Sequence, residues 1–261
     1  AGSATVLGRD VTTDSRSIKA EIGVVPQSFH TFDRLSVREN VVLVRRLYDE
    51  GLSVDAVLEE LDLTEWAETP FHSLSGGLKR RTGMAMALVS DPAVLFLDEP
   101  TTGIDPAGRR SLWQLLSGLA DEGVTILVTT HYMEEAHRLA DRVGLLADGR
   151  LAAVDSPDAL VVEHGGASRL SITGSFEPTI TSELDRPAEL GSGTLTVFDV
   201  APTEIGEVIA TLERAGGSYD GLTWSEPNLE DAYLELTGES VAPATGGTVD
   251  GIDASTGGET R

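Results

Sequence analysis

At 261 residues, with no cysteine and a formal net charge of −24, the chain is long enough for one large domain or a domain with an appendage. This composition excludes disulfides and thiolate metal sites, and so acidic a surface repels nucleic acid. No signal peptide is visible and no apolar run approaches the ~20 residues of a membrane helix, so we expect a soluble protein that reaches a membrane only through a partner.

Short apolar strands alternate with helices up to about residue 160. Continuous apolar strands of this kind are typical of a parallel sheet buried on both faces, which predicts an α/β core. Ser36 and Glu39 have the spacing of a capping box at the start of a helix. The predicted strands are 22–25, 94–97, 125–129, 143–146 and 151–154, and the predicted helices are 37–48, 54–61, 78–89, 106–121, 133–141 and 157–163.

The domain pattern changes twice along the chain. Residues 33–91 are mostly helical, which predicts a helical subdomain inserted into an α/β domain of residues 1–164. After Gly165-Gly166, residues 165–238 show strand and helix patterns typical of a small α+β domain. Residues 239–261 are rich in Gly, Thr, Ser and acidic residues and have no aromatic residue, so we expect a disordered acidic tail.

A glycine-rich turn precedes the predicted helix 78–89. Ser75, Gly76 and Gly77 would present backbone N–H groups without obstructing Cβ atoms, an arrangement that suits a phosphate oxygen. The same residues also fit an ordinary serine N-cap followed by glycines in a loop. Taken alone, the turn leaves both interpretations open.

Two adjacent carboxylates follow the strand 94–97. In an open α/β sheet, ligands bind at the carboxyl ends of the strands. Asp98 is therefore a candidate ligand for Mg²⁺, and Glu99 is a candidate for polarising an attacking water. The alternative is a strand that ends in two solvated acids.

Three further candidates are weak individually. His131 follows the strand 125–129 and is placed to donate a hydrogen bond to a γ-phosphate, although a lone histidine there is more often structural. Gln27 follows the first predicted strand and is unremarkable alone. Asp105 would normally be interpreted as the N-cap of the next helix.

The order of these residues resembles the ATP-binding subunit of ATP-binding cassette (ABC) transporters. Gln27 matches the glutamine loop, and Leu74–Leu78 (LSGGL) matches the signature motif. Residues 94–99 (VLFLDE) match the Walker B strand with its catalytic glutamate. GIDP at 103–106 matches the D-loop, and His131 matches the switch histidine.

The resemblance covers about residues 1–237, and residues 226–238 are similar to the C-terminal segment of the drug-resistance exporter branch, often paired with ABC-2-type permeases. It implies a P-loop NTPase-like ABC ATPase core with the inserted helical subdomain. The implied function is ATP hydrolysis that energises transport through a separate membrane permease, and the implied direction of transport is export. Gln27 and residues 33–91 would then form the coupling surface, on the cytoplasmic face of the cell membrane.

The resemblance also implies the site roles and the assembly. Two subunits would face head to tail, so that each ATP lies between the Walker motifs of one and the signature turn of the other. Mg²⁺ is assigned to Asp98 and Gln27, and the attacking water to Glu99. His131 is assigned to the γ-phosphate, and Asp105 to communication across the dimer.

The Walker A loop is missing from the sequence. Its G-x-x-x-x-G-K-[ST] pattern requires a Gly-Lys pair, and neither Lys19 nor Lys79 follows a glycine. We expect an N-terminally truncated sequence rather than a variant that lost the loop. Because at least three charge-assisted hydrogen bonds are missing, the chain alone is expected to bind ATP roughly a thousandfold more weakly and to be inactive.

Two other classes of protein stay open from the sequence. A non-transport ABC ATPase, such as a DNA-repair or translation factor, would carry coiled-coil insertions or a second cassette, and neither is visible. A catalytically dead partner subunit would contribute only its signature face.

Leu78 departs from the glutamine that the family often has, and we expect this change to be tolerated, since the phosphate contacts would come from Ser75 and the glycine N–H groups.

The excess of acidic over basic residues, 43 to 19, has a consequence for stability. The simplest interpretation is a solvated acidic surface, whose like charges repel one another and weaken the fold. At ~1 M salt the Debye length is about 3 Å, which screens most of this repulsion. We therefore hypothesise a halophilic, salt-accumulating cytoplasm.

Overall fold

The computed structural model describes residues 2–28 and 31–238, so the predicted tail 239–261 lies outside the described residues. One compact unit comprises the chain up to Val143 together with Asp155–Pro157. The second comprises Gly144–Val154 and residues 158–238. The domain boundary predicted at residues 164–165 lies inside this second unit.

The first unit alternates strands and helices, with a mostly helical stretch between the third and fourth strands. Its elements are β1 (Thr5–Val6), β2 (Arg9–Asp10), α1 (Ser15–Ala20), β3 (Ile22–Val25), α2 (Val37–Arg45), α3 (Val54–Glu60), α4 (Gly76–Leu88), β4 (Val94–Asp98), α5 (Pro106–Asp121), β5 (Thr125–Thr129) and α6 (Met133–Leu139). From β3 onward the bounds agree with the predicted ones within a few residues at each end, whereas β1, β2 and α1 were not predicted.

Strands β3, β4 and β5 form a parallel sheet in that order. Helices α4 and α5 contribute to a core with Val25, Leu95 and Leu97, which are at most 2% exposed. On the opposite face, Val24 and Leu127 are each 56% exposed. The prediction of a sheet buried on both faces is therefore wrong for the described residues, because α4 and α5 pack against a single side of it.

Helices α2, α3 and α4 pack together within the same core. The predicted capping box begins α2, where the Ser36 hydroxyl accepts from the Glu39 N–H (3.2 Å) and the Glu39 carboxylate accepts from the Ser36 N–H (2.8 Å). These two bonds satisfy backbone donors that the first helical turn leaves without partners. The capping box is confirmed, although α2 ends at Arg45 rather than at residue 48.

The elements of the second unit are β6 (Val143–Ala147), β7 (Arg150–Asp155), α7 (Pro157–His164), β8 (Arg169–Ser175), β9 (Ala188–Leu190), β10 (Thr194–Phe198), α8 (Ile205–Arg214), β11 (Ser218–Ser225) and α9 (Leu229–Thr237). Four of the strands form an antiparallel sheet in the order β11-β8-β10-β9, and β6 and β7 form a separate pair. Leu170, Ile172, Leu195 and Val197 pack with helix α8 in the core of this sheet.

A buried polar contact joins α5 to α6. The indole Nε1 of Trp113, 3% exposed, donates to Oε1 of Glu135, which is fully buried. The other carboxylate oxygen of Glu135 has no hydrogen-bond partner within the described part of the chain. The indole therefore supplies a hydrogen bond on which a buried carboxylate depends.

Replacing Trp113 by Phe is expected to lower the free energy of unfolding by roughly 2 kcal/mol, because it leaves a buried carboxylate without this donor. Urea unfolding at constant salt would measure the change. Trp66→Phe is the matched control, since Trp66 is 42% exposed, and should change stability little. Equal effects of the two substitutions would contradict the structural role assigned to the indole.

Candidate active site

Four of the predicted site residues lie at the carboxyl ends of the three parallel strands. Asp98 ends β4 and Glu99 follows it, while Gln27 follows β3 and His131 follows β5. The Gln27 side-chain N–H donates to the Glu99 carboxylate at 2.7 Å. His131 Nδ1 lies 3.3 Å from the other oxygen of that carboxylate. The structure thus brings Gln27, Glu99 and His131 into direct contact, next to Asp98.

Two threonines complete the cluster. The Thr102 hydroxyl donates to the Glu99 carboxylate at 3.0 Å, and the Thr129 hydroxyl donates to Asp98. Neither threonine was a candidate from the sequence. Thr129 lies beside Asp98 in the parallel register of β4 and β5, so knowledge of that register is the signal that would have identified it.

The backbone at Glu99 has an unusual conformation. Its φ of +44° lies in the left-handed region, which costs a residue other than glycine about 1–3 kcal/mol. The Glu99 N–H donates to the Thr129 carbonyl at 2.9 Å, which ties the residue to the end of β5. Such strain persists only where surrounding contacts hold it in place, and it is frequent at functional sites.

Arg80, in the first half of α4, supplies more of these contacts. It is 7% exposed, and its guanidinium donates to backbone carbonyl oxygens around the site. These are the carbonyls of Pro26 (2.7 Å), Gln27 (3.3 Å), Asp98 (2.7 Å) and Pro100 (3.0 Å). Burial lowers the pKa of Arg80, and the negative charges of Asp98 and Glu135 oppose this change. A guanidinium remains charged under such conditions.

No sequence signal indicates this role for Arg80. It lies in the run Lys79-Arg80-Arg81 near the start of a helix, where cations normally face solvent. Only the packing of α4 against the ends of β3 and β4 shows that one of the three is buried.

The turn before α4 has the contacts of an ordinary N-cap and leaves open space beside its glycines. Ser75 is the N-cap, and its hydroxyl accepts from the Leu78 N–H at 3.4 Å. A Cβ added at Gly77 would meet no atom within 4 Å, and one added at Gly76 would meet only the Gly103 carbonyl oxygen at 3.9 Å. The start of α4 is therefore capped and also sterically open to a ligand.

Asp105 lies outside the hydrogen-bonded cluster around Glu99. Its carboxylate caps α5 by accepting from the N–H groups of Gly108 and Ala107, each at 3.0 Å. These hydrogen bonds lower the pKa of Asp105, because they stabilise the charged form. The ordinary helix-cap interpretation therefore describes its contacts in this chain.

The site also offers donors of the class that Mg²⁺ prefers. The described residues include no group of three or more His, Cys, Asp or Glu side chains arranged to hold a metal. Protein sites for Mg²⁺ usually need only one or two carboxylates, with water and substrate phosphate completing the shell. Asp98 supplies a carboxylate, and Gln27, whose side-chain N–H faces Glu99, retains an amide oxygen. These residues fit such an ion.

Comparison with known proteins identifies the family. The model of the ABC transporter family matches residues 1–102. The Nod factor export ATP-binding protein I of Rhizobium sp. (strain N33) is 38% identical over 252 residues, which covers 92% of this chain and 80% of that protein. The chain belongs to the family of ABC transporter ATP-binding proteins. The ATP-binding and ATP-hydrolysing function expected for this ABC ATPase from its sequence is thereby confirmed.

Other members support the same assignment of the ABC ATPase. The daunorubicin resistance ATP-binding protein DrrA2 of Streptomyces coeruleorubidus is 34% identical over 252 residues, covering 91% of this chain and 78% of that protein. The structure of cbiO1 from Clostridium perfringens, part of the ABC transporter complex cbiONQ, is 28% identical and aligns with a TM-score of 0.54 over 61% of this chain and 67% of that one. The predicted α/β, P-loop NTPase-like fold class is confirmed.

The structure also bears on how the ABC ATPase relates to a membrane. Within residues 2–28 and 31–238, no helix combines the length and the apolar character that crossing a bilayer would require.

Proposed function

We propose that this ABC ATPase energises export through a separate membrane permease of the ABC-2 type, bound at the cytoplasmic face of the membrane. The hydrogen-bonded cluster in which Gln27 and His131 flank Glu99 supports the hydrolysis part of the proposal, because three side chains that we assign to ATP hydrolysis are in contact there. Relatives named for Nod factor export and daunorubicin resistance support the direction of transport. Gln27 and the helical residues 33–91 would form the coupling surface toward the permease.

Glu99 is the residue to which we assign the attacking water. Its carboxylate accepts a hydrogen bond from Gln27 and another from Thr102, which fix its orientation. A carboxylate held in this way can polarise a water molecule and accept its proton as the water attacks the γ-phosphate.

We assign His131 to the γ-phosphate. Since Nδ1 faces Glu99, Nε2 is the ring nitrogen that remains for a phosphate oxygen. The side chain is 55% exposed, so a nucleotide can reach it. Donation from Nε2 would stabilise the charge that accumulates on the phosphoryl oxygens during transfer.

Asp98 and Gln27 are the residues that would hold Mg²⁺. When bound there, the ion would neutralise negative charge on the phosphate oxygens. The Thr129 hydroxyl donates to Asp98 and fixes the orientation of its carboxylate. The proposed Mg²⁺ site therefore depends on the register of β4 and β5, which brings Thr129 beside Asp98.

We assign Ser75, Gly76 and Gly77 to the ATP of a second subunit in a head-to-tail dimer, with Asp105 beside the dimer interface. The open space around Gly77 supports this assignment, since a phosphate can approach the first N–H groups of α4. Helix α4 has 13 residues and no acidic residue in its first turn to repel an anion.

Gly77→Asp tests the assembly and the function together. Because an added Cβ meets no atom within 4 Å, the subunit should fold, while its carboxylate would lie where we place a phosphate. The full-length protein with its permease should retain ATP binding but lose ATP-dependent dimerisation, and turnover should fall by roughly 100-fold. Light scattering with ATP and phosphate release would measure the two effects.

The matched control is Gly118→Asp. Gly118 is an exposed glycine of α5, and a Cβ added there also meets no atom within 4 Å. This variant should dimerise and hydrolyse ATP as the parent does. Normal dimerisation and turnover of Gly77→Asp would refute the head-to-tail assignment.

A further inference from the structure

The contacts of Arg80 are divided between two edges of its guanidinium. Nε and Nη2 donate to the carbonyls of Pro100 and Asp98, which are the residues on either side of Glu99. Nη1 donates to the carbonyls of Pro26 and Gln27 at the end of β3. One rigid planar group thus contacts the backbone of both segments that carry the Glu99–Gln27 pair.

The first edge bears on the conformation of Glu99. A guanidinium presents its N–H donors in a fixed fork, so two donors on one edge set the relative positions of the two carbonyls they bind. Those carbonyls flank the residue with φ of +44°. Arg80 therefore stabilises the left-handed conformation from which the Glu99 side chain reaches Gln27 and His131.

The other edge of the guanidinium, Nη1, contacts the glutamine loop and bears on the position of Gln27 relative to Glu99. The backbone of Gln27 is bound by the same guanidinium that binds the backbone next to Glu99, and the two side chains are hydrogen-bonded at 2.7 Å. Because Arg80 belongs to α4, the helix that begins at the turn Ser75–Gly77, this placement depends on the position of that helix.

We propose that Arg80 is the positioning residue of the hydrolysis site. It holds Glu99 in its strained conformation and aligns Gln27 with it, so that the hydrolytic geometry is tied to the position of the signature helix α4. The proposal rests on the role of Glu99 in the proposed function. Arg80 itself contacts backbone carbonyls within its own subunit and acts through Glu99.

Arg80→Lys is the variant that separates positioning from charge. Lysine keeps a long stem and a positive charge, but its single ammonium cannot reproduce a planar fork. In the full-length ATPase with its permease, kcat should fall by about 10- to 100-fold, as expected for a small misplacement of a catalytic group, while the KM for ATP stays that of the parent. Arg80→Gln, which lacks the charge and the fork, should show the same loss of kcat.

Arg214→Lys is the matched control. Arg214 lies on α8, outside the proposed coupling surface, and its guanidinium binds the Ala210 carbonyl and the Thr211 hydroxyl, neither of which belongs to the Glu99 cluster. Its kcat and KM should equal those of the parent. Loss of ATP binding together with turnover in Arg80→Lys, or failure of both Arg80 variants to fold while Arg214→Lys folds, would assign Arg80 to structural support and overturn the proposal.

A double-variant cycle tests whether Arg80 acts through Glu99. Adding Arg80→Lys to Glu99→Gln should cause no further loss of the residual rate, because residues that act as a unit are not additive. An equal loss in both backgrounds, or a parent-like kcat in Arg80→Lys alone, would overturn the proposal while leaving Glu99 as the hydrolysis residue. Parent-like turnover of Glu99→Gln would instead refute the proposed function, and the positioning role with it.

Discussion

Glu99→Gln in the full-length ABC ATPase is expected to lower ATP turnover by roughly 10²- to 10⁴-fold while ATP binding persists, because an amide cannot accept the proton of the attacking water. The substitution keeps the size of the side chain and one oxygen that can accept from Gln27 and Thr102. The strained backbone at Glu99 is also unaffected, since glutamine carries the same Cβ and Cγ groups. The loss should therefore be chemical rather than structural.

Phosphate release would measure the loss of turnover, and the amount of nucleotide retained by the protein would measure the persistence of ATP binding. The variant should accumulate as an ATP-bound dimer, because the ATP between the two subunits of the proposed head-to-tail dimer is no longer hydrolysed. Glu122→Gln is the control, since Glu122 is an exposed residue just after α5 and should leave turnover unchanged. A Glu99→Gln variant that turns over ATP at the parent rate would remove Glu99 from the chemistry.

The strand-end residues of the site could be predicted because their contacts follow from topology. Apolar strands in alternation with helices predict a parallel sheet, and the carboxyl ends of parallel strands share one edge. Gln27, Asp98, Glu99 and His131 each follow or end a strand of this sheet. Their positions at strand ends, together with the resemblance of their order to that of ABC ATP-binding subunits, predicted a shared site.

Arg80 and the conformation of Glu99 could not be predicted, because both depend on tertiary packing. A cation in a basic run near a helix start is exposed in most proteins, and its burial here depends on how α4 lies against the strand ends. The positive φ of Glu99 has no signature in the sequence Asp-Glu-Pro. The exposed sheet face was also mispredicted, since an apolar strand pattern does not show which elements are available to cover it.

Raising KCl from dilute buffer to molar concentration is expected to increase the free energy of unfolding by several kcal/mol. Two like charges 10 Å apart in water repel by about 0.4 kcal/mol, and the chain carries 24 more acidic than basic residues. Screening also weakens surface ion pairs such as Arg38–Asp55 and Arg81–Asp62, but exposed pairs contribute only about 0–1 kcal/mol each. The relief of repulsion therefore exceeds the loss of attraction.

The control for this salt effect is a variant with fewer charges. Asp49, Glu50, Glu59 and Glu60 are exposed carboxylates of the mostly helical stretch between β3 and β4, and their conversion to amides removes four negative charges. Urea unfolding of this variant should show higher stability in dilute buffer and a smaller gain in KCl, because less repulsion remains to be screened. A parent protein that is equally stable in dilute buffer and in molar KCl would contradict the hypothesis of a salt-accumulating cytoplasm. A variant with an undiminished salt gain would show that the gain arises from a cause other than these surface charges.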